Sequence, residues 1–454
     1  MKYFAELALI PEGWSKNVRV TIDSSGKIES VESGIEPNHE DIHLNNRILL
    51  PALSNLHSHS FQRALAGLTE KRLKNNDSFW SWRVLMYHFL EQLSPEQLEA
   101  IASQVFMEML ECGYTSVGEF HYVHHQEAGK HYDNIAETSC RIITAAHETG
   151  IGLTHLPVFY MQSNLDGSKL SQNQLRFGNN SVQYFRILEL ARAALSNAPK
   201  DYLLGIAPHS LRAVSPEALV EIIEAKTSGP VHIHIAEQLK EVVDFQLKFN
   251  ARPVEWLLDN TAVDSKWCFI HATHLTSKEI HNSAKSGAVA GLCPITEANL
   301  GDGIFDGSGW LLSGGKYGIG SDSNVQISLT EELRLLEYSQ RLLKKERNVM
   351  SQVPGSVGHA LYNDSLVGGA KALSRNSGSI TSVNWADLLT LDAESLTFCG
   401  CTEDQILDRW IFCGNDSLVR EVWSAGRQMV VNGRHIKHRI IEKQYRNVIQ
   451  EIQK

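Results

Sequence analysis

The feature that most constrains this chain is a rhythm in its centre. Between residues 51 and 375, short and almost wholly apolar runs alternate with amphipathic segments. The runs are the one preceding His57, then Thr115 to Phe120, Gly152 to Val158, Tyr202 to Ala207, Val231 to Ala236, Cys268 to Ala272, Ala288 to Cys293 and Tyr317 to Gly320. A strand with no polar alternation is buried on both faces, which a parallel sheet covered by helices provides. The helix signals lie between the runs. Ser94-Pro95-Glu96-Gln97 supplies an N-cap, a proline at the first turn and a capping-box glutamine, and Gly113 stops the helix. A second helix is expected from about Asn134 to Glu148, and a third opens on the Thr-x-x-Glu box at Thr276. Eight such units predict a closed (β/α)8 TIM-type barrel over 51–375. The two chain ends read differently. Val18 to Ile22 and Lys27 to Val31 alternate around a turn, as do Leu388 to Leu391, Val419 to Trp423 and Gln428 to Val431, with Asn432-Gly433 as a tight turn. Residues 1–50 together with 376–454 therefore predict a small flanking β-sandwich domain.

Charge and composition narrow the function classes. Forty-two basic against 52 acidic residues give a net charge of −10, a poor endowment for binding a phosphate backbone. No apolar run approaches the roughly 20 residues of a membrane helix. The N-terminus lacks a basic segment followed by a long apolar one, and the seven cysteines contain no C-x-x-C pair. A cytoplasmic enzyme with free thiols, acting on a small molecule without nucleic-acid or membrane partners, is the expectation.

Polar residues gather at the ends of the expected strands. His57-Ser58-His59 closes the first, and residues i and i+2 of a strand project to one side. His232 and His234 share the fifth, His271 ends the next, and Asp322 follows the last. In a barrel these ends meet on one face, where active sites of this fold lie. A shared metal explains them together. His57, His59, His234 and Asp322 supply three neutral nitrogens and a carboxylate, a set suited to one Zn2+, with Fe2+ or Mn2+ as substitutes. The parity of His232 and His234 leaves either able to be the ligand. Bound zinc lowers the pKa of water towards about 7. Glu237, three residues past His234, is placed to take that water's proton and pass it to a departing nitrogen, unless it is a solvated loop carboxylate. His271 could orient the nucleophile, and Asp322 counts with Glu237 and His271 as a catalytic residue besides being a ligand.

With His57-x-His59, His234, Glu237, His271 and Asp322, the chain resembles the amidohydrolase superfamily in its mononuclear aminohydrolase branch. The binuclear members use a carboxylated lysine after the fourth strand, and Gly205 to His209 holds none. Within the branch the chain is similar to the formimidoylglutamate deiminases over nearly its whole length, through Asn55–Ala64, Asp77–Arg83, Glu119–His125, His209–Val214 and Thr296–Gly303. The resemblance implies a zinc-bearing barrel, a small β domain, a homodimer, and hydrolysis of N-formimidoyl-L-glutamate to N-formyl-L-glutamate and ammonia in histidine degradation. Two departures stand out. Asn324 occupies a position where many members carry histidine, and Asn384-Trp385-Ala386-Asp387 lacks the usual glycine before Ala-Asp.

The same likeness assigns substrate binding to Gln62, Arg83, Tyr122, His209 and Arg212. That fits the chemistry, because two carboxylates call for arginine forks, here expected in loops at the barrel mouth. Trp80 and Trp82 read as packing, and His124 and His125 as buried scaffold. Two other functions remain open: a related aminohydrolase acting on a purine, pterin or triazine ring, which needs no pair of arginines, and a barrel without catalysis that serves as a binding protein.

Overall fold

The computed structural model describes residues 1–72, 78–90, 93–224 and 229–452. Its centre is parallel. Strands β1 (Leu53–Ser58), β2 (Tyr114–His121), β3 (Gly152–Phe159), β4 (Leu203–Leu204) and β5 (Ala207–Pro208) form one sheet, and β6 (Val231–Ile235), β7 (Trp267–His271), β8 (Val289–Leu292) and β9 (Lys316–Ile319) form another. Isolated parallel bridges join the two along both edges: Ser58 with Asp322 on one side, Ile206 with Val231 and Ser210 with His234 on the other. The arrangement is therefore a curled parallel sheet. The expected fourth strand is broken into β4 and β5, because Gly205 N bonds back to His155 O (2.9 Å) while Ile206 N bonds forward to Pro230 O (3.0 Å). The other seven expected strands are present to within two residues.

Helix α1 (Phe79–Leu90) precedes α2 (Pro95–Cys112), whose Ser94 side chain accepts from Gln97 N while Gln97 caps Ser94 N in return. Gly113 then ends α2 with φ +103°, a conformation that spares glycine the Cβ clash. Thr276 and Glu279 form the second expected capping box. Inside the curl, Leu56 packs with Cys268, Ile270, Val289, Cys293, Ala372 and Leu373 beneath the strand ends.

The chain ends form one continuous sheet of nine strands rather than the two facing sheets of a sandwich. Arg47–Pro51 is its junction: Lys2–Ile10 pairs with it in parallel and Leu388–Asp392 pairs with it antiparallel. A buried ion network ties this sheet to the centre. Arg375 reaches both oxygens of Asp387 (2.7 and 3.0 Å) and Asp201 (3.1 Å), which Arg427 also holds (2.8 Å). The helix α4 (His438–Ile452) packs instead on α2 and beside Phe61 and Leu65, so part of 376–454 belongs against the central region. No helix among the described residues is long and apolar enough to cross a membrane.

Candidate active site

Every strand end expected to carry chemistry opens on the same side. His57 Nε2 lies 3.1 Å from His234 Nε2 and 3.2 Å from His59 Nε2. Asp322 Oδ1 stands 3.2 Å from His59 and 3.4 Å from His57, and all four side chains are buried. Two of the tautomers are fixed by carbonyls, which only accept: His59 Nδ1 donates to Phe120 O (2.9 Å) and His234 Nδ1 to His209 O (3.1 Å). Their Nε2 lone pairs therefore point into the cluster. Burial also pushes His57 down to about 3, so its ring is neutral. Lone pairs and a carboxylate converging at this spacing need a cation between them. Atoms each about 2.1 Å from one ion stand about 3.0–3.4 Å apart for ligand angles between about 90° and 110°, which matches the observed separations. His232 is excluded from the set, because its Nε2 bonds Ala372 O (2.8 Å) deeper in the curl.

The backbone around the cluster is unusual. Ala236 (φ +53°), His271 (+66°), Ala272 (+48°), Asp322 (+45°) and Asn324 (+54°) all adopt the left-handed region at the ends of β6, β7 and β9. Non-glycine residues pay for that conformation, and such costs persist where surrounding bonds over-determine them. Here Asn55 bonds Ser321 from both ends of its amide (2.6 and 3.1 Å). Asn324 donates to Ser58 Oγ, His59 O and Asp322 O and accepts from Ser321 Oγ (2.6 Å). The departure at Asn324 is thus the clamp that binds the two ligand-bearing segments to each other.

Beside the cluster, His271 Nε2 lies between Glu237 Oε1 (3.9 Å) and Asp322 Oδ2 (3.8 Å), and its Nδ1 meets Glu297 Oε1 (3.2 Å). Burial opposes a charge on His271, yet Glu237, Glu297 and Asp322 outweigh it and hold its pKa up at about 10. Glu297 lies in the Thr296–Gly303 stretch, which had no assigned part. Glu237 is buried rather than a solvated loop carboxylate, and its other oxygen is 3.4 Å from Arg212.

The remaining expected residues line the same pocket: Gln62, Arg83, Tyr122, His209 and Arg212 surround it with His59, His234, Glu237, His271 and Asp322. Gln62 donates to Tyr122 Oη (3.0 Å) and keeps its own oxygen without a partner. Burial, with Arg212 and Arg83 adding to it, lowers the His209 pKa and keeps that ring neutral. Arg83 rides on helix α1 rather than a loop. Among the described residues its hydrogen bonds go to phenols, Tyr87 and Tyr160 (3.4 Å), and it lies over the Trp80 ring at 5.7 Å. Trp82 lines the pocket, as do Phe79, Met86, Tyr87 and Tyr160, none of which the sequence singles out for the site. His124 and His125 bond the Val158 and Gly178 carbonyls outside it. Asp77, the first residue of the stretch that carries Arg83, lies outside the described residues.

Comparison with known proteins follows this geometry. Residues 48–429 match the amidohydrolase family, and residues 3–43 match the N-terminal domain of formimidoylglutamate deiminase HutF. The chain is 48% identical over 434 residues to the formimidoylglutamate deiminase of Pseudomonas aeruginosa, covering 95% of each. The chain belongs to the amidohydrolase family, among the formimidoylglutamate deiminases. A crystal structure of an amidohydrolase from Brucella melitensis superposes with a TM-score of 0.94 at 43% identity, covering 100% of both chains. An adenosine deaminase from Xanthomonas campestris with bound zinc shares the fold, with a TM-score of 0.83 at 20% identity over 100% of this chain and 98% of its own. This family has the TIM-barrel fold, in accord with the curled parallel sheet.

Proposed function

We propose that the protein hydrolyses N-formimidoyl-L-glutamate to N-formyl-L-glutamate and ammonia, as a step of histidine degradation, with one zinc ion per chain held by His57, His59, His234 and Asp322. The observation that carries this reading is a single pocket that holds three of the four clustered ligands, His59, His234 and Asp322, together with a buried acid and two arginines. The closed eight-stranded barrel over 51–375 and a flanking β domain of 1–50 with 376–454, its terminal helix α4 excepted, belong to the same proposal. Zinc is preferred on the donor set and on its presence in the Xanthomonas relative.

A divalent ion at this cluster would acidify a water towards a pKa of about 7 and so supply the nucleophile near neutral pH. The protein's own groups do the rest. Glu237 takes one proton as the water oxygen bonds to the formimidoyl carbon and returns it to the terminal nitrogen; as that C–N bond breaks, the second water proton leaves the oxygen, the formyl carbonyl forms, and the departing ammonia carries that proton as ammonium. His271, kept protonated by its carboxylate neighbours, donates to the oxygen as the carbon becomes tetrahedral. Arg83 and Arg212 bind the two substrate carboxylates, while Gln62, Tyr122 and the neutral His209 offer hydrogen bonds that orient the chain between them. Helix α1 lays Phe79, Trp82 and Met86 over the pocket and limits the access of water.

The test is ammonia release from N-formimidoyl-L-glutamate with the carbon product identified. N-formyl-L-glutamate is expected. Recovery of free glutamate in place of the formylated product, or turnover only of ring substrates, would overturn the assignment.

A further inference from the structure

One buried acid beside the pocket has no part in the chemistry above. Glu241 lies in the first turn of α3 (Leu239–Phe249) and is 1% exposed. Its Oε2 accepts from the backbone N of Glu237 (3.2 Å) and stands 3.9 Å from Arg212 Nε. Arg212 Nε and Glu241 Oε1 are both buried without a hydrogen-bond partner. Arg212 thus sits between two carboxylates: Glu237, on its terminal nitrogen at 3.4 Å, and Glu241, on its Nε side.

A guanidinium beside a proton-transferring acid has two ways to fail. It can pair with that acid and withdraw it, or it can swing away and lose the substrate. A second, fixed counter-charge on the Nε edge opposes both: it leaves Glu237 a single 3.4 Å contact with one terminal nitrogen, which a substrate carboxylate can displace, since the planar fork leaves that other edge free. We propose that Glu241 is a positioning residue that tethers Arg212 by its Nε edge, so that the guanidinium presents its terminal nitrogens to a substrate carboxylate while Glu237 stays available for proton transfer. The same carboxylate holds the Glu237 backbone, so a single side chain sets the spacing between the carboxylate-binding and proton-transfer groups. This inference rests on the function proposed above.

The test compares Glu241→Gln, which keeps shape and the acceptor for Glu237 N but loses the charge, with Glu241→Asp, which keeps the charge but shortens its reach. Steady-state kinetics with N-formimidoyl-L-glutamate should show KM raised about tenfold in E241Q with kcat within a few-fold of wild type, and a smaller rise in E241D. In an Arg212→Ala background, E241Q should leave KM where R212A puts it, since the tether has nothing left to hold. Metal content should be unchanged in both single variants. Wild-type KM in E241Q, additive effects in the double variant, or a greater defect in E241D than in E241Q would overturn the proposal, the last by assigning Glu241 to packing. Failure of the parent reading is separately visible, as absence of turnover in the wild-type protein. If E241Q does not fold, E241D and its own cycle with R212A decide the matter: a raised KM that vanishes in the R212A background supports the tether, and a wild-type KM or additive effects overturn it.

Discussion

Replacing Asn324 by alanine isolates the clamp between the two ligand-bearing segments. The amide makes four buried hydrogen bonds, each worth about 1 kcal/mol net. The His59 and Asp322 carbonyls keep other donors, Gln62 N and His59 N, so their loss is not the full cost of a stranded acceptor. Alanine must also hold φ near +54°, which costs it about 1 kcal/mol more than asparagine. The metal-free protein should therefore lose about 4–5 kcal/mol, which for 454 residues lowers the thermal midpoint by about 4–5 °C. Because His59 and Asp322 are positioned through this amide, metal affinity should fall about 10–100-fold. The assay is a scanning calorimetry trace of the chelated protein together with competitive zinc titration against a chromophoric chelator. Asn324→Asp gives a sharper comparison: it tolerates the backbone, yet turns an oxygen towards two carbonyls that the amide now serves as donor, and should be worse than alanine. An unchanged midpoint and metal affinity in N324A, or a milder effect in N324D, would refute the reasoning.

Glu237→Gln should keep its full metal complement while kcat for ammonia release drops about 10²–10⁴-fold, and near-normal turnover would remove Glu237 from proton transfer. Gly320→Ala places a Cβ 2.8 Å from both the N and O of His57, so it should cost about 1–3 kcal/mol and reduce bound metal, measured by elemental analysis; a fully loaded variant of normal stability would contradict this. Arg375→Met strands the buried Asp387 carboxylate and leaves Asp201 to Arg427 alone, and should cost about 3–5 kcal/mol in thermal unfolding with kcat unchanged, since the network lies away from the pocket. Burial acts to raise Asp201, but Arg427 and Arg375 more than reverse this and hold it below its ordinary value. Its contribution is thus complete above the unfolded pKa of about 3.9 and is lost as pH falls through the lower folded value. An Asp201→Asn protein should lose less stability across that acid window than wild type, as followed by fluorescence-monitored unfolding.

What the sequence makes legible is what period and chemistry express locally. Seven apolar runs became strands because burial on both faces leaves no alternation to misread, and the caps at Ser94 and Thr276 need only neighbouring residues. The metal cluster was readable because three of its ligands lie two residues apart or end a strand. The break at Gly205-Ile206 was not, since it depends on Pro230 and His155 from other strands. The choice between His232 and His234 was likewise invisible in parity alone, and was decided by the Ala372 carbonyl. The residues missed in the pocket, Tyr87, Tyr160 and Met86, come from α1 and from the segment after β3, where nothing in spacing marks them. Glu297 carried a signal in its unusual surrounding stretch, but its partner His271 is 26 residues away.

The contact between Tyr445 Oη and Arg63 O spans 382 positions of sequence, and Val448 packs in the same cluster as Phe61 and Leu65. The short helical turn that carries Gln62 therefore leans on a segment synthesised long after it. During translation that turn can rest on α2 and Tyr122, but its face towards α4 stays bare until the last helix has been made. Chains cut short of that point carry all four metal ligands but lack the helix that closes the outer side of the turn bearing Gln62.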